Sequence, residues 1–271
     1  MMRWAASKLL LLPLILGGNV IANSDTQTIQ NISDGIKLFK NHKYHKSYNL
    51  LMPYAKQGDP KAQFYIGLIY DMGSIDMMDK TKAVQWYLKA AEQNLSQAQY
   101  DMGVMLSKGE GTQKDLKKAL WWYQRSANLG NKNAMFNLGV AYQRGYGCDI
   151  DMKKAIYWYQ KAIDLNMSKA AYNLASLYYD PKSSIRNLTK ARTLYKKAAQ
   201  LGNTKAEFIL GYMYEIGQGG KRNIKEAIKW YKEAAISGNL NARKNLSILL
   251  KESSQNKEAN FWLKRAKSKS H

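Results

Sequence analysis

Residues 134–162 read AMFNLGVAYQRGYGCDIDMKKAIYWYQKA, and this stretch decides the fold because its pattern recurs along the chain. In its first and last parts, small and apolar residues stand three and four positions apart, which is the spacing of one helix face. Between these parts lie Gly145 and Gly147 among polar residues, a composition typical of a turn. The stretch therefore predicts two helices joined by a turn.

The pattern repeats with a period of 36 residues. An alanine series marks the first helix of each unit: Ala62, Ala98, Ala134, Ala170, Ala206 and Ala242. A tyrosine series marks the second helix: Tyr87, Tyr123, Tyr159, Tyr195 and Tyr231. Because neither helix can bury its apolar face alone, neighbouring units must stack, and the recurring tyrosines and tryptophans are predicted to fill the core.

Two further series restrict the backbone. One contains only glycine and asparagine: Gly58, Asn94, Gly130, Asn166, Gly202 and Gly238. Both residue types tolerate the left-handed conformation that ends a helix, so this series predicts a helix C-terminus in every unit. The other series contains only small residues, and it predicts positions where two helices cross closely: Gly67, Gly103, Gly139, Ala175, Gly211 and Ser247. Within a unit, the turn between the two helices is predicted at residues such as 107–112, which places its start at Ser107.

The strings at 134–142, 144–147 and 154–162 resemble the Sel-one-like repeat, a relative of the tetratricopeptide repeat. The resemblance covers nearly all of the chain after residue 59. It implies an all-α fold, a right-handed α/α solenoid of about six 36-residue helix-turn-helix repeats used for protein contacts, often in exported bacterial proteins. The repeats are predicted at 60–95, 96–131, 132–167, 168–203, 204–239 and 240–271. Leu194 departs from the pattern because other repeats have tryptophan there.

The N-terminal segment predicts export. Residues 1–22 combine a basic start, an apolar stretch and the small-residue cleavage site ending at Ala22, as in a signal peptide. Residues 23–59 are predicted to form an N-terminal helical cap, and no later segment is long and apolar enough to span a membrane. We therefore expect a periplasmic or secreted protein whose single cysteine, Cys148, cannot form an intramolecular disulfide.

The formal charge of +22 favours an acidic partner. In tetratricopeptide proteins the first helices line a concave groove, so the resemblance places a protein or peptide partner there, including a host protein if the organism is a pathogen or symbiont. The residues predicted to bind it are Asp101, Lys108, Asn137, Arg144 and Asn173. Since these residues lie off the core stripe, substituting them is expected to leave folding unaffected. Export disfavours nucleic acid as the partner, and no cofactor is implied.

An enzyme is the alternative, because some relatives are described as penicillin-binding proteins or β-lactamases. Ser254 and Lys257 have the serine-to-lysine spacing of the first β-lactamase element, yet the Ser-Asp-Asn and Lys-Thr-Gly elements do not occur. His42 and His45 are three residues apart but have no third ligand type near them in sequence, so no metal site is expected. The sequence therefore favours a non-catalytic binding scaffold over a β-lactam-binding or β-lactamase-like enzyme.

Overall fold

The computed structural model describes residues 18–267. Over this range the chain is helical throughout, with no strand. The helices are α1 (Gly18–Lys40), α2 (Tyr44–Gln57), α3 (Pro60–Met72), α4 (Lys80–Glu92), α5 (Ser96–Lys108), α6 (Leu116–Asn128), α7 (Lys132–Arg144), α8 (Met152–Asp164), α9 (Ser168–Tyr179), α10 (Leu188–Gln200), α11 (Thr204–Ile216), α12 (Ile224–Ile236), α13 (Leu240–Glu252) and α14 (Asn256–Lys267).

These helices belong to two compact units. Unit 1 comprises the described residues up to 105 together with 109–113, and unit 2 comprises 106–108 and the described residues from 114. Within each unit, helices that follow one another in sequence pack together, as in the α3/α4 and α7/α8 pairs. This succession of helix pairs confirms the predicted helical repeat solenoid.

The tyrosine and small-residue series form the core. All five repeated tyrosines are buried, with no more than 7% of the surface of any of them exposed. Their rings lie against the small series so closely that a Cβ placed on Gly139 would stand 2.6 Å from Cδ1 of Tyr159. The same distance separates such an atom on Gly67 from Tyr87. A small residue is therefore required at these crossings, and at Gly67 and Gly139 even a methyl group would press on the ring.

The second helices of the repeats are capped in the same way at both ends. Their N-caps are Asp79, Asp115, Asp151, Asn187 and Asn223, and each side chain accepts a hydrogen bond from the backbone three residues later. After each second helix the glycine or asparagine has a positive φ, from 57° at Asn166 to 103° at Gly58 following α2. The C-terminal series predicted from sequence is confirmed.

The predicted start of the turn at Ser107 is wrong. Helix α5 continues through Lys108 and ends at Gly109, whose φ of 81° breaks the helix. The glycine fixes the end because it adopts the left-handed conformation at little cost, whereas Ser107 has no such preference.

The signal-peptide prediction concerns residues 1–17, which lie outside the described residues, and 18–22, which fall in α1. Export and cleavage after Ala22 stay predictions. Among the helices of the described range, none is long and apolar enough to span a bilayer.

Candidate binding surface on the first helices

The predicted binding residues fall in two environments. Asp101 lies in the part of α5 that belongs to unit 1, whereas Lys108, Asn137, Arg144 and Asn173 belong to unit 2. Lys108 and Arg144 are the exposed last residues of α5 and α7. Asn137 and Asn173 are half-buried, as is Asp101. We call the outward side of α7, α9 and α11 in unit 2 the first-helix face.

The half-buried residues are explained by the repeated tyrosines. Each tyrosine hydroxyl reaches polar residues of the first helices, and the partner sixteen residues earlier differs from repeat to repeat. These partners, with the oxygen-to-oxygen distances, are Asp71 for Tyr87 (3.0 Å), Ser107 for Tyr123 (3.4 Å), Gln143 for Tyr159 (2.7 Å) and Glu215 for Tyr231 (2.6 Å). For Tyr195 the partner is Ser176, at 3.0 Å. Each repeat therefore gives its buried hydroxyl a hydrogen bond.

The following first helix supplies a second partner in unit 2. The side chain of Asn173 hydrogen-bonds the hydroxyl of Tyr159. Asn245 Nδ2 donates likewise to Tyr231, at 3.1 Å. Asn173 therefore has a structural contact that the sequence pattern did not predict, and the expectation that its substitution leaves folding unaffected stays a prediction.

Positive charge characterises the first-helix face. Burial raises the pKa of Tyr159 to about 12, while the hydrogen bond from Asn173 and the charge of Arg144 oppose that shift. Arg144 also donates from Nη1 to the hydroxyl of Tyr146, at 3.4 Å. Neither Arg144 nor the exposed Lys169 and Lys205 forms an ion pair within the described part of the chain. The face thus offers cations to a negatively charged ligand.

In unit 1, the polar side chains near the repeated tyrosine Tyr87 are acidic. Asp71 accepts the hydroxyl of Tyr87 and is paired with Lys80. Asp101 accepts a hydrogen bond from Gln97 Nε2 at 3.2 Å, but burial, and then the charge of Asp71, raise its pKa to about 7. Asp101 therefore differs from the asparagines that occupy the same repeat position in unit 2.

Two hollows in unit 2 were missed by sequence reasoning. The first has a volume of about 180 Å³ and is bordered by Ser107, Asn137 and Tyr146. The second, of about 470 Å³, is more open and is bordered by the predicted Asn173 together with Lys169 and Lys205. The lysines could have been found, because they stand at equivalent positions of successive repeats. The first hollow depends on side-chain sizes from three helices.

His42 and His45 border one open hollow but have different partners. His42 lies in the turn after α1 with a φ of 59°, and its Nδ1 is 2.7 Å from the hydroxyl of Tyr44. His45 is in α2, and its Nε2 is 3.0 Å from Asp76 Oδ2. The pKa of Asp76 is lowered, first by the neighbouring Ser74 side chain and then by His45. No group of three metal-ligating side chains occurs among the residues that the structure describes.

The other candidate reactive residues are isolated. Ser254 has a φ of 62° in the turn before α14, and both it and Lys257 are exposed. Cys148 is a free thiol whose Sγ lies 3.8 Å from the carbonyl oxygen of Ala141. Burial, and then the charge of Asp149, raise the pKa of this thiol, which lowers its thiolate fraction at neutral pH.

The comparisons with known proteins agree with this architecture. The Sel1 repeat model matches residues 60–95, 96–131, 132–167, 168–203 and 204–239. A Sel1 repeat protein from Oxalobacter formigenes is 31% identical with a TM-score of 0.68, and the match covers 89% of this chain and 98% of the other. The protective antigen c5321, present in uropathogenic Escherichia coli strains, is 26% identical with a TM-score of 0.76. This second match covers 92% of the present chain and 56% of c5321. No curated protein matches the sequence.

Proposed function

Because the chain belongs to the Sel1 repeat family, a family of protein-protein interaction scaffolds, we propose that it is an exported scaffold that binds an acidic protein segment on the first-helix face. The observation that carries this proposal is the set of exposed cations on α7, α9 and α11, namely Arg144, Lys169 and Lys205. They stand beside half-buried amides that can fix the position of a bound backbone.

The charge pattern supports an acidic rather than a basic segment. Among the described residues, the glutamates of α11 form no ion pair with these cations: Glu207 is buried, and Glu215 accepts the hydroxyl of Tyr231. Long-range attraction by the exposed cations would raise the association rate, whereas Asn137 and Asn173 would act at contact distance.

Export and contact with a host draw support from a relative. The protein c5321 is described as a protective antigen of uropathogenic strains and shares the repeat fold with this chain. An antigen of this kind is accessible to the immune system of the host. We propose the same accessibility for the present chain. The signal peptide predicted at residues 1–22 supports this proposal. The intact mass of the exported protein tests this point, since cleavage after Ala22 gives a chain that starts at Asn23.

The binding proposal is tested with a charge-reversal pair. Partners are first isolated on the immobilised chain 23–271 and identified by mass spectrometry. Association rates are then compared for the wild type and for a variant carrying Arg144→Glu and Lys169→Glu. We expect association to slow by about tenfold at low salt and to lose most of its salt dependence, because exposed charges act over about 8 Å at physiological ionic strength.

The matched control reverses two charges elsewhere in unit 2. Lys117→Glu with Lys153→Glu changes the net charge by the same amount at the exposed starts of α6 and α8. If the two double variants slow association equally, overall charge rather than the first-helix face attracts the partner. A partner whose association ignores the Arg144 and Lys169 reversals would contradict the assignment.

The enzyme alternative is separated from scaffolding by one assay. Hydrolysis of nitrocefin by the wild-type chain, lost on Ser254→Ala, would establish a β-lactamase-like activity. The exposure of Ser254 and Lys257 leads us to expect no hydrolysis above that of the variant, because a nucleophilic serine needs an oriented base beside it.

A further inference from the structure

A hollow of about 180 Å³ lies in unit 2 between the end of α5, the start of α6 and α7. Leu116, Leu120 and Val140 give it apolar walls, and the ring of Tyr123 is part of the lining. Asn137 and Tyr146 border it with polar groups. The hollow is partly open to solvent and combines an apolar interior with a few polar groups, as binding pockets do.

The hollow exists because Ser107 is short. At the equivalent position, the other four repeats matched by the family model have larger side chains: Asp71, Gln143, Tyr179 and Glu215. Gln143 and Glu215 extend to 2.7 and 2.6 Å from their tyrosine hydroxyls, whereas Ser107 is 3.4 Å from Tyr123. The space that a glutamine or glutamate fills elsewhere is therefore left open at Tyr123.

The surroundings of the hollow indicate the chemistry of its ligand. A closed apolar cavity of about 150 Å³ holds a benzene molecule, so this volume suits one leucine- or phenylalanine-sized side chain. Arg144 donates to the hydroxyl of Tyr146 at the border and forms no ion pair in the described range. The Asn137 side chain stands at the same border. An apolar side chain in the hollow would thus bring its neighbours in sequence toward a guanidinium group.

We infer that this hollow is an anchor pocket for one large apolar side chain of the partner, and that the adjacent acidic residue pairs with Arg144. The inference rests on the proposed function and adds to it a specificity element confined to one repeat. The ligand class is a peptide segment with an apolar residue directly followed by aspartate or glutamate.

The probes are three blocked tetrapeptides that differ by one residue. Acetyl-Gly-Leu-Asp-Gly-amide carries both features, the Ser-Asp peptide lacks the apolar side chain, and the Leu-Asn peptide lacks the charge. Binding is followed by methyl and amide NMR shifts of the chain 23–271. We expect the Leu-Asp peptide to shift the methyl signals of Leu120 and Val140, with affinity about tenfold or more above that of the Ser-Asp peptide. The Leu-Asn peptide should be intermediate.

Two substitutions locate the effect. Ser107→Gln gives Tyr123 the partner that Tyr159 has in Gln143, so it should fill the hollow and weaken binding of the Leu-Asp peptide by about tenfold or more. Gln143→Ser is the matched control, because it shortens the equivalent side chain one repeat later and leaves the hollow intact. Thermal unfolding of both variants shows whether they remain folded.

Unchanged affinity in a folded Ser107→Gln variant would overturn the anchor pocket. Absence of shifts at Leu120 and Val140 with the Leu-Asp peptide would do the same. Either result leaves the proposed function standing if partner association still responds to the Arg144 and Lys169 reversals. Partner association could instead ignore the Arg144 and Lys169 reversals while the NMR shifts at Leu120 and Val140 are retained. That result would overturn the first-helix face as the surface that attracts the partner, and the anchor pocket would stand.

Discussion

The tyrosines of the two units share their packing but not their polar surroundings. Tyr87 in unit 1 and Tyr159 in unit 2 lie equally close to the glycine of their repeats. The hydroxyl of Tyr87 donates to the carboxylate of Asp71, with the carboxyl group of Asp101 nearby. The hydroxyl of Tyr159 donates to the amide oxygen of Gln143 and hydrogen-bonds Asn173.

This difference shows that the ring and the hydroxyl serve separate purposes. The ring sets the distance between helices, so only a small residue, glycine in most repeats and Ala175 in repeat four, fits beside it. The hydroxyl needs only some polar partner, and that partner can be an acid, an amide or a serine. The charge of the surface above the tyrosines can therefore change between units while the fold is kept.

The largest expected effect tests the shared packing. Gly139→Leu should lower the free energy of unfolding by about 3 kcal/mol, because its side chain would enter the space of Tyr159 and force the helices apart. Gly67→Leu should act similarly against Tyr87. Lys132→Leu, at an exposed position of α7, should change the free energy of unfolding by less than about 0.5 kcal/mol. Urea unfolding of the three variants decides the matter, and equal midpoints would contradict close packing.

The next effect concerns the acidic surroundings of unit 1. Asp101→Asn should raise the free energy of unfolding at pH 8 by about 2 kcal/mol, because one pKa unit corresponds to about 1.4 kcal/mol and the half-buried carboxylate retains some water contact. The pKa of Asp101 in the folded chain, about 7, exceeds its ordinary value of 3.8. Between these values the folded state binds more protons, so the wild type loses stability as pH rises.

Urea unfolding from pH 4 to pH 8 measures this contribution as the difference between wild type and variant. The difference should grow with pH and level off above the folded pKa. The reciprocal change, Asn137→Asp, provides the control because it places a carboxylate at the same repeat position in unit 2. If the difference in free energy of unfolding between the wild type and Asp101→Asn does not depend on pH, the carboxylate of Asp101 is well solvated.

Removing single hydroxyls should have a smaller effect. Tyr159→Phe is expected to cost about 1 kcal/mol, since it breaks neutral hydrogen bonds with Gln143 and Asn173. Tyr87→Phe should cost more, about 1.5 to 2 kcal/mol, because its acceptor is the carboxylate of Asp71. Chemical unfolding at pH 8 compares the two. The reverse order would mean that Lys80 alone satisfies Asp71.

The smallest effect is expected at the helix ends. Asn94 has a φ of 62° at a position where most repeats have glycine. Asn94→Gly should stabilise the chain by about 0.5 kcal/mol, because glycine adopts this conformation with less strain. Gly130→Asn, at the equivalent position with a φ of 86°, should produce a change of similar size and opposite sign. Differential scanning calorimetry can resolve both if they are measured in one buffer.

The parts of the fold predicted from sequence are those that the repeat spacing expresses directly. The left-handed series from Gly58 to Gly238 and the glycines beneath the tyrosines follow from constraints on one residue type at one position. The hydrogen bond of Asn173 to Tyr159 and the hollow beside Ser107 involve side chains from different helices. Their existence depends on exact lengths and directions, which a repeat spacing does not contain. The pairing of His45 with Asp76 likewise joins residues separated by a whole helix.

The starts of the first helices differ in a way that bears on how the array opens. Asp59, Asn131, Asn203 and Asn239 cap their helices through the side chain, whereas Leu95 before α5 and Met167 before α9 make no side-chain cap. These two residues directly follow Asn94 and Asn166, the two asparagines of the left-handed series. Their junctions therefore combine a left-handed asparagine with a helix start that has no side-chain cap. Under mild denaturant, backbone amides at the starts of α5 and α9 should exchange with deuterium before those of α7 and α11.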